Sequence, residues 1–379
     1  MKIAYFLGAL NRGGAETLIL DICRQHANAP YDFVCIYRHD GNMSDEFKAS
    51  GAPMVHIPKS RGFMSYLWHV RRTLLHEGIT IVHSQTPSNT LILAIALLGT
   101  GIKIVTTFHG HFDNTPWLIR KIVYESSSKI ICVSKQLKDY TEHLWRLPQN
   151  QKIEVVYNGI DFSKFVSSNV KLSFDIGYLT SGNEGRIKLC MVGNFVTGRS
   201  QQIVVKAIHY LKKNNITDFD FYFIGRRDNK DYIRYDNCVQ YCKKYQLANV
   251  HFLGSRDDVP SLLQTMHGYI YSTEHDTFGI SVIEALAAKL PIVVNDYEVM
   301  QEVCQLDLPK TSQAIRFFKT EDIADCADKM KMLMENISDK KSNLAMDCNQ
   351  AAEAVRKKYS IEEHIKQIYS IYKRVNKKK

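Results

Sequence analysis

Asp276 and Glu284 have seven residues between them and bracket a turn at Phe278-Gly279. Upstream, the apolar stretch Gly268-Tyr269-Ile270-Tyr271 reads as a buried strand that breaks into the polar loop Ser272-Thr273-Glu274-His275. Downstream, a helix is expected to start near Ser281. The first turn of a helix leaves backbone N–H groups without an intrahelical acceptor and carries the positive end of the macrodipole, so it is a natural anion site. Flanking carboxylates suit sugar or ribose hydroxyls, which donate hydrogen bonds. Amides for an anion beside carboxylates for hydroxyls describe a pocket for a nucleotide sugar. The competing reading of this segment alone is a strand–loop–helix whose acids are merely solvated.

Other chemistry-bearing residues also follow apolar runs. Asn11-Arg12-Gly13-Gly14-Ala15-Glu16 follows the first run, and the paired glycines permit a tight turn and close approach of a ligand to the backbone. The G-x-G-x-x-G spacing of a dinucleotide fingerprint is absent there. Thr107-Phe108-His109-Gly110-His111 puts a histidine at a strand end, where it can act as a general base or donate to a sugar oxygen, or simply cap a loop. Val192-Gly193-Asn194-Phe195-Val196-Thr197-Gly198-Arg199 offers an arginine, whose planar fork grips phosphate bidentately.

The elements that must position these residues alternate: short apolar strands with amphipathic helices, the pattern of parallel α/β sheets. Strands are expected at 2–7, 32–37, 54–57, 81–84, 103–108, 129–133 and 152–156, with helices at 15–26, 66–77, 89–98, 118–126 and 135–144. A second series starts with a strand at 187–192 and continues through a helix at 201–214, a strand at 219–224, a helix at 231–245, a strand at 250–253, a helix at 259–266, the 268–271 strand with its helix, and a strand at 291–295. Residues 166–185 are polar and rich in Ser, Asn and Gly. The expected organisation is therefore a domain at 1–165, joined by a C-terminal helix at 360–379, a linker at 166–186 and a second domain at 187–359. Ligands of doubly wound sheets bind outside the carboxyl ends of the strands, which is where each motif above falls.

The chain has 379 residues and a formal net charge of +10, with 45% hydrophobic and 23% charged residues, ordinary for two globular domains. Arg356 to Lys379 carries nine Lys or Arg against two Glu, so most of the excess sits on a C-terminal helix and tail. Without an accompanying recognition fold this basic end predicts no nucleic-acid partner. The N-terminus runs directly into an apolar strand, and the longest apolar run, residues 91–98, is too short to cross a bilayer. Nine scattered cysteines form no disulfide framework. Cys238 and Cys242 share a helix face without a second ligand pair. These features point to a reducing cytoplasm. Asp218-Phe219-Asp220 enters an apolar strand and reads as its start rather than as a metal motif, so no metal is expected. Lys59 to Arg72 mixes basic and aromatic residues: it fits a membrane surface, or an amphipathic helix whose Leu67, Val70 and Leu74 face the core.

The Asp276–Glu284 segment resembles the acidic motif of retaining family-4 (group 1) glycosyltransferases of the two-domain GT-B fold, which has an acid, Phe-Gly, and a second acid before Ala. In this chain the first acid is an aspartate. The Gly13-Gly14 loop, His109-Gly110, the Asn194–Arg199 loop, the Asn158-Gly159-Ile160-Asp161 turn and the strand end at Gly254 resemble further elements of that family in the same order, over nearly the whole chain. Where the family commonly carries an arginine and then a lysine, this chain has Asn194 and Arg199.

The resemblance implies two Rossmann-like doubly wound domains facing across a cleft. It implies a metal-independent, retaining transferase that needs no cofactor and moves a hexose or N-acetylhexosamine from a nucleoside-diphosphate sugar to a glycan or lipid-linked glycan acceptor. The setting it implies is capsule, exopolysaccharide or lipopolysaccharide synthesis at the inner face of the cell membrane, with peripheral membrane contact. By the same resemblance Arg199 stabilises the leaving diphosphate, Glu284 holds the ribose, and Asp276 and His109 position the transferred sugar. Arg12, Gly13, Gly14, Asn194, Phe278, Gly279, Ile280 and Gly254 line the donor. A sugar-nucleotide epimerase of the same fold and a transfer-inactive donor-binding scaffold remain the alternatives.

Overall fold

The first strand shows why the sequence folds as layers. In Lys2–Ala9 (β1) successive side chains point to opposite faces of the sheet, and both sets are apolar. Ile3, Tyr5 and Leu7 join one buried cluster, while Ala4 and Phe6 join another. The sheet is therefore covered on both faces, as parallel βαβ connections demand. The computed structural model describes residues 1–58, 62–147, 152–165, 185–229 and 231–377. Residues 166–184 of the expected linker, and Lys59 to Arg61 of the basic–aromatic stretch, lie outside them.

The chain divides into two units, one comprising Met1–Asp161 with Tyr359–Lys379, the other Phe162–Lys358. The first unit carries β1, β2 (Asp32–His39), β3 (Met54–His56), β4 (Ile81–Ser84), β5 (Lys103–Phe108), β6 (Ser127–Cys132) and β7 (Ile153–Val155). They form one sheet in the order β3-β2-β1-β4-β5-β6-β7, and every recorded pairing is parallel. Its helices are α1 (Gly14–Arg24), α2 (Ser44–Ala49), α3 (Phe63–His76), α4 (Pro87–Ala96), α5 (Trp117–Ser126) and α6 (Lys135–Trp145). In α3, Leu67, Val70 and Leu74 are buried as the amphipathic reading expects, while Phe63, Met64 and Trp68 are exposed.

The second unit carries β8 (Ile187–Val192), β9 (Phe219–Ile224), β10 (Val250–Phe252), β11 (Gly268–Tyr271), β12 (Ile292–Asn295) and β13 (Ile315–Phe318) in the order β10-β9-β8-β11-β12-β13, again with parallel pairings. Its helices are α7 (Gln201–Lys213), α8 (Tyr232–Lys244), α9 (Val259–Gln264), α10 (Ile280–Ala287), α11 (Glu298–Val303), α12 (Ile323–Ser338) and α13 (Leu344–Tyr359). After α13, Ser360 interrupts the helix: its hydroxyl accepts from the Glu363 N–H at 3.2 Å, an N-cap that starts α14 (Ile361–Lys377). The helix α14 returns to the first unit. There Ile361, Ile365, Ile368, Ile371, Tyr372 and Val375 are buried in the same cluster as Ile3, Tyr5 and Leu7.

In each sheet the strand order reverses once, between β1 and β4 in the first unit and between β8 and β11 in the second. At such a reversal the connections leave toward opposite faces, and a crevice opens at the carboxyl ends of the two central strands. The loop at residues 10–14 and Gln85 follow the central strands of the first sheet, and the loops 193–199 and 272–279 follow those of the second.

All nine cysteines are buried thiols. Cys238 and Cys242 lie in α8, and burial raises both thiols to about 12. Asp220 is buried and joins Arg186 at 3.1 Å and His251 at 3.2 Å, so it ties strand ends together.

Candidate functional site

In the second unit the loop after β8 is fastened to the loop after β11. Arg199 and Thr273 form an antiparallel bridge, and the Ser200 N–H donates to the Ser272 carbonyl at 3.1 Å. The Glu274 N–H and the Thr273 hydroxyl donate to the Gly198 carbonyl at 3.0 and 2.7 Å. Gly198 has φ +90°, and a Cβ there would lie 2.7 Å from that of His275, so both backbone and space require glycine. Asn295, at the end of β12, braces the second loop: it accepts from the Thr273 N–H at 3.0 Å and donates to the Thr273 carbonyl at 2.7 Å.

This fastening brings Arg199 and Asp276 together in a direct ion pair. The Tyr271 hydroxyl donates to the same carboxylate oxygen, Oδ2, at 2.6 Å, and the Tyr271 ring lies 5.2 Å from the guanidinium carbon. The other oxygen, Oδ1, accepts from the Thr277 N–H at 2.8 Å and the Phe278 N–H at 3.4 Å. Asp276 is only 8% exposed, whereas the Arg199 side chain keeps 26% of its surface. The aspartate is thus turned inward as a brace for the arginine and the turn. Tyr271 and Asn295 belong to this site and escape the sequence reading, because a tyrosine inside an apolar run reads as core. The available signal was position, since both end a strand.

Gly279 is the N-cap of α10, at φ +81°, and itself offers no side-chain cap to that helix start. The first-turn amides of α10 therefore follow directly on the Asp276 turn. Phe278 is buried, and Ile280 and Glu284 are partly buried on the first two turns. Asn194 is spent on structure: its Oδ1 accepts from the Arg226 N–H at 3.1 Å, joining the ends of β8 and β9. The Gly254 carbonyl accepts from the Gly225 N–H at 2.8 Å, joining β9 to β10.

In the first unit Gly13 is the N-cap and Gly14 the first residue of α1. Arg12 is engaged: its guanidinium pairs with Glu46, and its N–H donates to Asn42 Oδ1 at 2.8 Å. His109 follows β5, and its Nε2 lies 2.9 Å from Gln85 Oε1. His111 is buried, edge-on to the Tyr140 ring at 4.7 Å. Two more histidines are buried in this unit. His83 Nδ1 lies 2.6 Å from the Tyr372 hydroxyl and His83 Nε2 2.6 Å from Thr107 Oγ1, while His364 Nδ1 lies 2.7 Å from the Tyr157 carbonyl. Burial, with the mutual repulsion of the charged forms, lowers His83 and His109 to about 3, and burial lowers His364 to about 4. All three are neutral near pH 7.

This depression has a measurable consequence. The unfolded chain protonates its histidines near 6.5, so between there and the folded values it binds more protons than the native state. Stability from these groups is complete above about pH 6.5 and is lost as the pH falls. His83 and His364 are each expected to cost about 2 kcal/mol at pH 5 relative to pH 7. Urea unfolding at the two pH values measures this, and because His109 is depressed alike, His83→Gln should remove about a third of the histidine contribution. Equal midpoints at pH 5 and pH 7 would contradict it.

Residues 12–164 match the family model described as Glycosyltransferase Family 4, and residues 180–355 match Glycosyl transferases group 1. The O-antigen biosynthesis glycosyltransferase WclY of Escherichia coli is 21% identical over 322 residues, 80% of this chain and 82% of that one. The capsular polysaccharide biosynthesis glycosyltransferase CapH of Staphylococcus aureus is 20% identical over 321 residues, 80% of this chain and 84% of that one. Among solved structures, HepE of Anabaena in complex with UDP and glucose superposes with a TM-score of 0.83 at 16% identity, covering 98% of this chain and 99% of that one.

Proposed function

From a chain that belongs to the group 1 glycosyltransferases of the GT-B fold, of the polysaccharide-biosynthesis type, we propose a metal-independent, retaining transferase that moves a hexose or N-acetylhexosamine from a UDP-sugar to a glycan or lipid-linked glycan. The observation that carries this reading is the placement of Arg199, braced by Asp276 and Tyr271, beside the switch point of the second sheet and next to the start of α10. Loss of a nucleoside diphosphate from the anomeric carbon develops negative charge on the leaving oxygens. A preorganised guanidinium and helix amides stabilise that charge more than they stabilise the ground state. The chain thereby supplies the positive charge from its own groups.

Glu284 accepts from the ribose hydroxyls. The Gly13-Gly14 turn allows the first unit's backbone to approach a ligand. His109, neutral, serves the transferred sugar. Asp276 is unsuited to a covalent intermediate, because both its oxygens are already bonded and little of it is exposed. Retention is therefore assigned to attack from the face the diphosphate leaves. UDP is favoured as the donor's nucleotide because HepE, which shares the fold, binds it.

Among the described residues no helix is long and apolar enough to cross a membrane. On α3, however, Phe63, Met64 and Trp68 are 58, 75 and 52% exposed, and Arg72 lies over the Trp68 ring at 5.1 Å. Apolar side chains beside a cation fit the surface of an anionic bilayer, and we assign this face to the membrane that carries a lipid-linked acceptor.

One experiment tests both parts. Labelled UDP-sugars are incubated with the full chain and acceptor, either in detergent or in vesicles containing anionic lipid. Acceptor-dependent UDP release with retained anomeric configuration, unaffected by chelator, is the expected result. Trp68→Ala should lower the rate with vesicles and leave the rate in detergent unchanged. Isomerised free donor, or binding without turnover, would replace this reading by an epimerase or a scaffold.

A further inference from the structure

Gln85 directly follows β4, beside the point where the first sheet reverses its strand order, and it is 4% exposed. Its Oε1 lies 2.9 Å from Nε2 of His109, which directly follows the neighbouring strand β5. Its own Nε2 is buried and has no hydrogen-bond partner among the described residues. A buried amide N–H₂ left unpaired is a standing penalty, since its hydration is lost and not replaced. A leucine or methionine of similar size would fill the position without it. The carboxamide is therefore not explained by stability, and its side-chain hydrogen bond among the described residues leads to His109.

We propose that Gln85 is a positioning residue for His109: its carboxamide oxygen accepts from Nε2–H and holds the neutral imidazole in one tautomer and one orientation. A neutral imidazole carries a single N–H. With that proton on Nε2, the lone pair falls on Nδ1, and any group meeting Nδ1 must be a donor, as a sugar hydroxyl is. The inference deepens the assignment of His109 to the transferred sugar and rests on that assignment for its effect on rate. The geometry of the pair itself does not.

The test uses the full chain with ¹⁵N-labelled histidine, the His109 signals being identified by their loss in His109→Gln. The parent protein should show the Nε2–H tautomer. Gln85→Leu should mix the tautomers and lower transfer about tenfold, the effect of losing one neutral hydrogen bond. Its unfolding midpoint should stay about level, because the unpaired amide is gone while the His109 Nε2–H loses its acceptor. A residue that only supported packing would lower the midpoint instead. Gln85→Glu provides a second variant: its carboxylate accepts the same proton and favours the imidazolium, so protonation of His109 should move up toward neutral pH and transfer should acquire a new limb on the acid side. His109 signals in Gln85→Leu that superimpose on those of the parent would overturn the proposal. Mixed tautomers with an undiminished rate would support the pairing and instead remove His109 from the handling of the sugar.

Discussion

Replacing Arg199 by alanine is expected to lower glycosyl transfer about 100- to 1,000-fold in a chain that still folds, the range seen when one preorganised charge-stabilising group is removed from an active site. On the proposed reading, Arg199 is the fixed cation that meets the leaving diphosphate, because Asn194 holds the other family position and its amide oxygen is bonded to the Arg226 N–H. The fold should survive, since Asp276 keeps the Tyr271 hydroxyl and two turn amides when the guanidinium is gone. Arg199→Lys should recover part of the rate, for it restores the charge and loses the fork. Asp276→Asn should cost less than Arg199→Ala, because the arginine remains but has lost the carboxylate that aims it. Initial rates of diphosphate release, with unfolding midpoints alongside, measure all three. Parental turnover by a folded Arg199→Ala chain would end this account of the site.

Ending the chain at Lys358 is expected to unfold the first unit and spare the second. The helix α14 buries Ile361, Ile365, Ile368, Ile371, Tyr372 and Val375 against β1 and its neighbours. At roughly 1.5–3 kcal/mol for each large apolar side chain, this burial is worth about 10 kcal/mol, comparable with the whole stability of a domain at about 5–15 kcal/mol. Polar losses add to it, because His83 loses the Tyr372 hydroxyl at 2.6 Å and Ile160 loses its paired hydrogen bonds with Tyr359 and Ile361 at 2.8 and 3.0 Å. Limited proteolysis reads the outcome directly. Residues 1–161 should be cut at many sites while residues 185–358 resist, and a protected first unit in the shortened chain would refute the expectation.

The strands were legible because parallel strands buried on both faces are continuous apolar runs. Runs such as Ile3–Leu7, Gly268–Tyr271 and Ile292–Val294 appear where the pattern puts them. Elements with weaker patterning were not: α2 and α11 are six residues long, and β13, Ile315–Phe318, lies partly exposed at a sheet edge. The Ser360-x-x-Glu363 capping signature was present in the sequence, and it marks where α13 ends and α14 begins.

At the site, the order of polar loops after strands marks the segments that carry it. The direction each side chain takes was not legible. Nothing in the spacing of Asp276 and Glu284 shows that the aspartate turns inward to Arg199, since that depends on Tyr271 and on the bridge between Arg199 and Thr273. Arg12 likewise reads as spare positive charge until Glu46 is found beside it.

The return of α14 to the first sheet reverses the usual order of assembly on the ribosome. Domains generally settle as they emerge, the N-terminal one first. Here residues 1–161 lack part of their core until Ile361 to Val375 have been translated, after the whole of Phe162–Lys358. The second unit can therefore complete its packing while the first still waits with an apolar sheet face partly uncovered. During synthesis it is this first unit, although its larger part is made before the second, that most needs protection from aggregation.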